Sequence, residues 1–448
     1  MKKATRKLLV WTLIAALLLA VMTGCAASKS TLAQDEEASD QTESNGIVLN
    51  YTWWGNQVRG ERTTKVTEMY TQLHPDITFA LEFTDGGSYA DLITTRAAAK
   101  NMPNIIQADW DKVPEYVDKD LIVPLDDFVS SGVLDTADCD PNTIETGTVD
   151  GKLYAMSMGN NARSMFYDAT LLESLDLSIS MEPTWEEFKE LGKTIYEKTG
   201  VQTSFCWQIS FSELMRNVIR GQGYEFYNED KSALGFDDPA VAEKAFALLE
   251  EVGQQEWVVD PAEYAGITGS ELEPIVSGKA WNAFITSNMG VGLQAACGDA
   301  RNLGICITPN FADAVRQPAY TQPSQLTCVG NVGTQADKEA AAAFLNYIIN
   351  DVDANKVLLN ERGVSMNSKV CEAIAGDLDD ISTKIAEYVT YVAEHGSPAP
   401  MLEPACSSQI FDMEKDLRIA VLFGSMSAKD AAEQFFTQAN SILAENAK

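Results

Sequence analysis

The chain has 448 residues, enough for two or three globular domains around a large buried core. Its hydrophobic fraction of 45% and charged fraction of 22% are ordinary, but 33 Lys and Arg stand against 65 Asp and Glu. The resulting charge of −32 repels polyanions, which argues against DNA or RNA as partners. It also repels an anionic membrane surface, so attachment there needs an anchor.

Residues 1–24 have the organisation of a secretory signal. Lys2, Lys3, Arg6 and Lys7 precede an almost wholly apolar run from Leu8 to Val21. A run of about 14 residues suits a signal-peptide h-region and is short of the ~20 that a spanning helix needs. It closes on Met22-Thr23-Gly24-Cys25, which resembles a bacterial lipobox, with Met22 where that pattern favours Leu. The resemblance implies that Cys25 is diacylated and becomes the first residue of a lipid-anchored protein, two acyl chains being a stable anchor. A plain secretory signal with an incidental Cys is the alternative.

Residues 25–46 contain no aromatic side chain and one large aliphatic one, Leu32, so they are expected to form a disordered tether. After the first 25 residues the balance is 29 bases against 65 acids, or −36. Seven further cysteines follow, an odd number with no C-x-x-C spacing, and the only histidines are His74 and His395. Neither a structural zinc site nor any cofactor is expected, and most thiols read as small buried hydrophobes. A Cys297–Cys306 bridge is suggested only by proximity.

In chain order, Ile47 to Trp54 reads as a buried strand ending in Gly55-Asn56. A helix over Glu61–Leu73 follows, stopped by His74-Pro75. Ile77–Phe83 is a second strand with a turn at Gly86-Gly87. An Ala-rich helix over Asp91–Lys100 leads to a third strand within Met102–Ala108. This β-α-β-α-β order predicts an α/β domain with a mainly parallel sheet, whose ligands sit at the carboxyl ends of its strands. Val149–Met156 reads as a hairpin turning at Asp150-Gly151, and Asn160–Tyr167 as extended. Thr184 and Glu187 form a capping box for a helix with Trp185, Phe188, Leu191 and Ile195 on its apolar face. Further helices are expected near Phe211–Arg220, Pro239–Glu251, Asp337–Ile349 and Ala428–Leu443.

Five segments carry a resemblance: LNYTWWGN, MPNIIQAD, DGKLYAMSMGNNARSMFYDATLLES with PTWEEFKEL behind it, IVSGKAWNAFITSNM, and ADKEAAAAFLNYIINDVDANKVLLNERGVSMNSKV. In this order and spacing the chain resembles the extracellular solute-binding proteins of sugar ABC importers, the family of maltose-binding protein, over 47–448. The resemblance implies an α/β, two-lobed periplasmic-binding-protein-like fold, crossed three times by the chain, with the ligand cleft between the lobes. Crossings are expected near Ser157–Arg163, Gln325–Asn331 and Met366–Ser368. Lobe one would then comprise 47–158 and 329–367, and lobe two 159–328 and 368–448. Gly330 and Gly333 could serve a hinge or simply turns.

A sugar offers apolar ring faces and a rim of hydroxyls, so its site needs aromatic planes and Asp, Asn or Arg side chains. Alternation places Trp53 and Trp54 on opposite sides of their strand; Trp54 is favoured for the cleft, with Asn56 behind it. Asp85, Asp109, Trp110 and Asp111 stand at the ends of the second and third strands. Asn160, Asn161 and Arg163 lie at the first crossing, where Arg163 could alternatively make an interlobe salt bridge. Trp207 is expected at a strand end in lobe two, while Trp257 and Trp281 read as core. Asn288 stands where the family usually has an aromatic, and Phe411 where it has a stacking ring in the last segment.

An enzyme is the weaker reading. No nucleophile elbow, zinc-protease motif, Walker loop or dinucleotide fingerprint is present, and 65 acids always supply some carboxylate pair. A cationic cargo such as a polyamine remains open, since an acidic body and tryptophans both suit one. The reading adopted is a monomeric, lipid-anchored binding protein on the extracellular face. It would close on a sugar or oligosaccharide and deliver it to the permease subunits of an ABC importer, with no catalysis.

Overall fold

The computed structural model describes residues 46–205, 211–253, 255–267, 269–401, 403–404 and 406–446. The expected signal segment, Cys25, the expected tether up to Asn45 and Trp207 lie outside the described residues.

Strand β1 (Ile47–Trp54) sends Leu49, Tyr51 and Trp53 into one core and turns Trp54 to the opposite face. Trp53 is fully buried and stacks on Phe83 with ring centroids 5.4 Å apart. Helix α1 (Gln57–Leu73) starts four residues before its expected first residue, because the Asn56 side chain caps it by accepting from Arg59 N. Strand β2 (Ile77–Thr84) runs parallel to β1 along its whole length. The expected turn at Gly86-Gly87 is instead the opening of α2 (Gly86–Ala98). Asp85 accepts from Ser88 N and so begins a helix at the glycines.

Strand β3 (Ile105–Ala108) lies on the other side of β1, also parallel. Short helices α3 (Val113–Asp118), α4 (Asp126–Ser130) and α5 (Pro141–Glu145) follow. The hairpin of β4 (Thr148–Val149) and β5 (Lys152–Leu153) turns at Asp150 and Gly151, both at positive φ, as a two-residue turn of this hand requires. Strand β6 (Ala155–Ser157) ends this run.

Beyond Gly159 a second sheet opens with β7 (Asn160–Asp168). Then come α6 (Ala169–Ser174), α7 (Trp185–Thr199), α8 (Phe211–Gly221), α9 (Ala240–Val252), α10 (Pro274–Ser277), β8 (Asn282–Thr286), α11 (Gly290–Cys297), β9 (Leu303–Cys306) and β10 (Thr321–Pro323). The capping box of α7 forms as expected, and Trp185, Phe188 and Ile195 are fully buried. The chain then returns through β11 (Leu326–Val329), α12 (Gln335–Asn350), α13 (Val352–Leu358) and α14 (Ser368–Ile374). It finishes with α15 (Asp380–His395), α16 (Ser407–Leu422) and α17 (Ala428–Asn446).

The first sheet has the order β2-β1-β3-β11-β6. Only its first three strands are parallel; β11 enters between β3 and β6 antiparallel to both, so the expected mainly parallel sheet is mixed. In the second sheet β7 pairs antiparallel with β8, β9 and β10. Separate apolar clusters flank each sheet, which gives two α/β lobes.

The structure moves two of the expected crossings. Leu326, Thr327 and Cys328 pair with β3 and β6, so the return lies at Ser324-Gln325, ahead of the boundary expected at 328. Met366 sits in the first lobe's core, and Asn367 bridges to Cys139 and caps α14. The chain therefore leaves the first lobe after Asp377, later than the Met366–Ser368 expected for the third passage. Gly330 and Gly333 belong to the first lobe, where Gly330 bridges to Ile122 and Gly333 turns at φ +73 just before the α12 cap. Cys297 and Cys306 are free thiols, as are Cys139, Cys328, Cys371 and Cys406, so the suggested bridge is absent. Burial pushes the Cys328 thiol up to about 12, which keeps it protonated and unreactive.

Truncation of a fully buried tryptophan removes its contacts and leaves a cavity. Trp53→Ala is expected to cost about 3–5 kcal/mol of unfolding free energy, read from urea midpoints; a loss below about 1 kcal/mol would remove Trp53 from the core.

Candidate functional site

The carboxyl ends of β1, β2 and β3 form one edge of the first lobe. Trp54 is half-buried there, its ring 4.9 Å from that of Tyr89 on α2. Trp110, two residues past β3, is half-buried against the same apolar cluster. The Tyr89 hydroxyl donates to the Gln107 carbonyl at 2.7 Å and lies 3.2 Å from that of Thr52, so it ties α2 to both β1 and β3. Asp109 is exposed, and Asp111 lies in the single turn Trp110–Lys112. Asp85 is exposed but occupied as the α2 cap, where hydrogen bonds from the Ser88 side chain and backbone hold its carboxyl below the usual range. Asn56 is likewise committed to capping α1. Its amide also reaches the second lobe, lying 3.0 Å from where a Cβ on Gly292 would stand.

At the first crossing the three predicted polar residues divide. Asn160 is tied to the first lobe, its Oδ1 accepting from Thr143 Oγ1 at 3.0 Å. Asn161 is buried beside Gly363 and accepts a long hydrogen bond from Ser287 Oγ at 3.5 Å. Asn288, also buried, donates to the Glu361 carbonyl at 3.5 Å. These side chains serve the seam between lobes. Phe411 is half-buried in the first turns of α16.

Arg163 joins a charged cluster within the second lobe, and among the described residues it makes no salt bridge to the first. Its guanidinium donates to Thr286 Oγ1 at 3.0 Å and lies 4.0 Å from Glu213 at the start of α8. Glu213 also pairs with Arg216 at 3.1 Å and accepts from the Tyr320 hydroxyl at 3.1 Å. Arg216 in turn pairs with Glu403, which accepts from Tyr227. Burial alone would raise the Glu213 pKa, but Arg216, Arg163 and Tyr320 together hold it below the usual carboxylate value. Arg163, Glu213 and Asn217 line a small recess together with Leu214, Phe284 and Ile285, and Arg163 Nε has no hydrogen-bond partner among the described residues.

Comparison with known proteins matches residues 54–354 to the family described as Bacterial extracellular solute-binding protein. The chain belongs to that family. Among solved structures it is similar to an oligogalacturonide-binding protein of Yersinia enterocolitica in complex with saturated digalacturonic acid. The two share 20% identity at a TM-score of 0.74, over 90% of this chain and 100% of that one. It is also similar to the GacH receptor of Streptomyces glaucescens, solved unliganded and with acarbose, at 17% identity and a TM-score of 0.73 over 90% and 100%. An ABC substrate-binding protein of Listeria monocytogenes in complex with cycloalternan matches at 15% identity and a TM-score of 0.74, over 88% and 98%. At such identities the likeness establishes the fold. Among the described residues no helix is long and apolar enough to cross a membrane.

In this solute-binding protein the residues that sequence reasoning missed are Glu213, Arg216, Tyr320 and Glu403. The i,i+3 spacing of Glu213 and Arg216 was a usable signal for the first pair. Nothing local joins them to Glu403, 187 positions from Arg216. The cluster yields a test. Arg216→Met leaves two carboxylates without their main buried partner, and a loss of about 3–5 kcal/mol is expected from denaturant unfolding. Glu213 sits below its unfolded value of 4.5, so its contribution is present above that pH and lost as pH falls through the folded value. The variant should therefore lose less stability on acidification than the parent; an unchanged acid limb would show that Glu213 is not held by Arg216.

Proposed function

We propose that this chain is the substrate-binding component of a carbohydrate ABC importer, held outside the membrane by acylated Cys25 and working as a monomer. It closes its lobes on a sugar or oligosaccharide and presents the closed form to the permease subunits. The observation that carries this reading is the pair of half-buried indoles, Trp54 at the end of β1 and Trp110 just past the neighbouring β3, packed against one apolar cluster. Indole planes partly open to solvent suit the C–H faces of sugar rings. The three similar structures described above, each bound to a saccharide or saccharide analogue, support the same ligand class.

No chemical step is proposed. Glu213, the most deeply held carboxylate of the second-lobe cluster, sits below its ordinary value and so carries no proton to donate near neutral pH.

The reading is tested by thermal unfolding of residues 46–448 against neutral oligosaccharides, oligogalacturonides, monosaccharides and polyamines. A ligand at about 100 times its Kd adds roughly 2.7 kcal/mol, a rise of a few degrees for a chain of this size. A rise with one saccharide series supports the proposal, and Trp54→Ala should abolish it while leaving the unliganded midpoint nearly unchanged. A rise with polyamines alone overturns the sugar assignment. The anchor has its own test: Cys25→Ser should move the protein from the membrane pellet to the soluble fraction, and continued pelleting would overturn acylation.

A further inference from the structure

Between α13 and α14 the chain runs through a strained stretch that touches both lobes. Leu359, Asn360 and Gly363 have φ of +47°, +60° and +109°, a left-handed backbone that Leu in particular does not adopt unless held. On the second-lobe side, Asn360 Nδ2 donates to the Ser382 carbonyl at 3.2 Å, and Val364 exchanges both backbone hydrogen bonds with Asn160 at 2.7 and 3.0 Å. A Cβ on Gly363 would lie 2.9 Å from Asn161 Oδ1 and 3.0 Å from Ser324 Cβ, so the strap passes both of the first two crossings at contact distance.

On the first-lobe side the same strap is bound by buried charge. Arg59 Nε donates to both carboxylate oxygens of Glu361 at 3.0 Å. Arg362 donates to Gln107 Oε1 at 2.5 Å and to Thr63 Oγ1 at 2.7 Å. Arg59, Glu361 and Arg362 are each more than nine-tenths buried. The other ends of Arg59 and Gln107 converge on one atom, the carbonyl oxygen of Trp54. Arg59 Nη1 donates to it at 3.1 Å and Gln107 Nε2 at 3.2 Å.

We propose that Arg59 and Gln107 are positioning residues that couple Trp54 to the 359–364 strap, so that the angle between the lobes and the placement of this indole change together. Gln107 accepts from Arg362 and donates to Trp54, while Arg59 bridges Glu361 to the same carbonyl. The backbone of the strand end that carries Trp54 is thus fastened to the strap through two parallel arms. A ligand that fixes the indole biases the strap, and a strap moved by lobe closure moves the indole. The consequence for binding rests on the sugar-site reading of Trp54; the coupling itself does not.

The coupling can be measured without a ligand. The full chain is labelled with 5-fluorotryptophan, and the Trp54 fluorine resonance is assigned by its loss in Trp54→Phe. Gly363→Ala, which perturbs the strap where it meets the crossings, should shift the Trp54 resonance by more than its linewidth. The resonances of Trp185 and Trp281 in the second-lobe core should stay in place. In a Gln107→Leu background the shift should shrink by at least half. Arg362→Met carries the same expectation should Gly363→Ala not fold, since Glu361 then keeps Arg59 as its partner. An unmoved Trp54 resonance in the folded variant overturns the coupling, and so does an equal movement of Trp185 and Trp281, which would mean general loosening. A positive saccharide panel with no fluorine shift sinks this inference alone. A fluorine shift with no saccharide binding sinks the ligand assignment and leaves the coupling standing.

Discussion

Everything between the lobes depends on three stretches of backbone passing one another at contact distance. A side chain on Gly159 would bring its Cβ to 2.5 Å from the Val364 carbonyl oxygen, and one on Gly363 would crowd Asn161 and Ser324. Two residues without Cβ atoms therefore set how closely the chain can cross. Once it crosses that closely, backbone groups there are removed from water and must find partners. They do so through Asn160 and Val364, through Ser324 N donating to Gly159 O, and through Met158 N donating to Gln325 O. The seam is polar because it is backbone packed on backbone. Asn160, Asn161 and Asn288 belong to that seam for the same reason.

Each lobe also encloses a charged group of its own. In the first, Arg59 and Glu361 are paired while Arg362 is matched only by neutral acceptors. Burial lowers its pKa, and Arg59 nearby adds to the effect. In the second, Glu213 and Glu403 bracket Arg216. Buried ion pairs repay their desolvation poorly as sources of stability but are costly to break, so they select one arrangement of the elements that contribute them. Those elements are far apart in sequence: α1 and the strap in the first lobe, α8 and the segment before α16 in the second.

Much of the fold was legible in the sequence because its signals are local. The alternation in β1, the capping box at Thr184 and Glu187, and the Asp-Gly hairpin each depend on residues within a few positions of one another, and each forms where expected. Gly86-Gly87 misled because a glycine pair reads as a turn unless the cap before it is recognised. The boundary near 328 was harder to read because membership of a sheet depends on strands more than a hundred residues away, and the one at 366–368 because Asn367 bridges to Cys139, equally remote in sequence. The candidate site was less legible for a related reason. Asn and Asp at strand ends look the same whether they bind a ligand or cap a helix, and Asn56 and Asp85 prove to be caps. Trp53 and Trp54 differ only in parity along one strand, and there the period of two was enough to separate core from edge.

The charge of the body bears on which solute could be held. Outside the first 25 residues acids exceed bases by 36, and a field of that sign concentrates cations and dilutes anions at any open surface. The acids around the lobes differ in what they add to that field: Asp109, beside Trp110, is exposed, while others are committed within the fold. Glu361 and Glu213 are ion-paired, and Asp85 is turned to a helix end. A neutral saccharide is indifferent to the long-range field and is recognised by contact alone, through aromatic planes and hydroxyl partners. An acidic saccharide would have to approach against that field. Salt separates the two cases, because screening speeds the approach of an anion and leaves that of a neutral sugar unchanged.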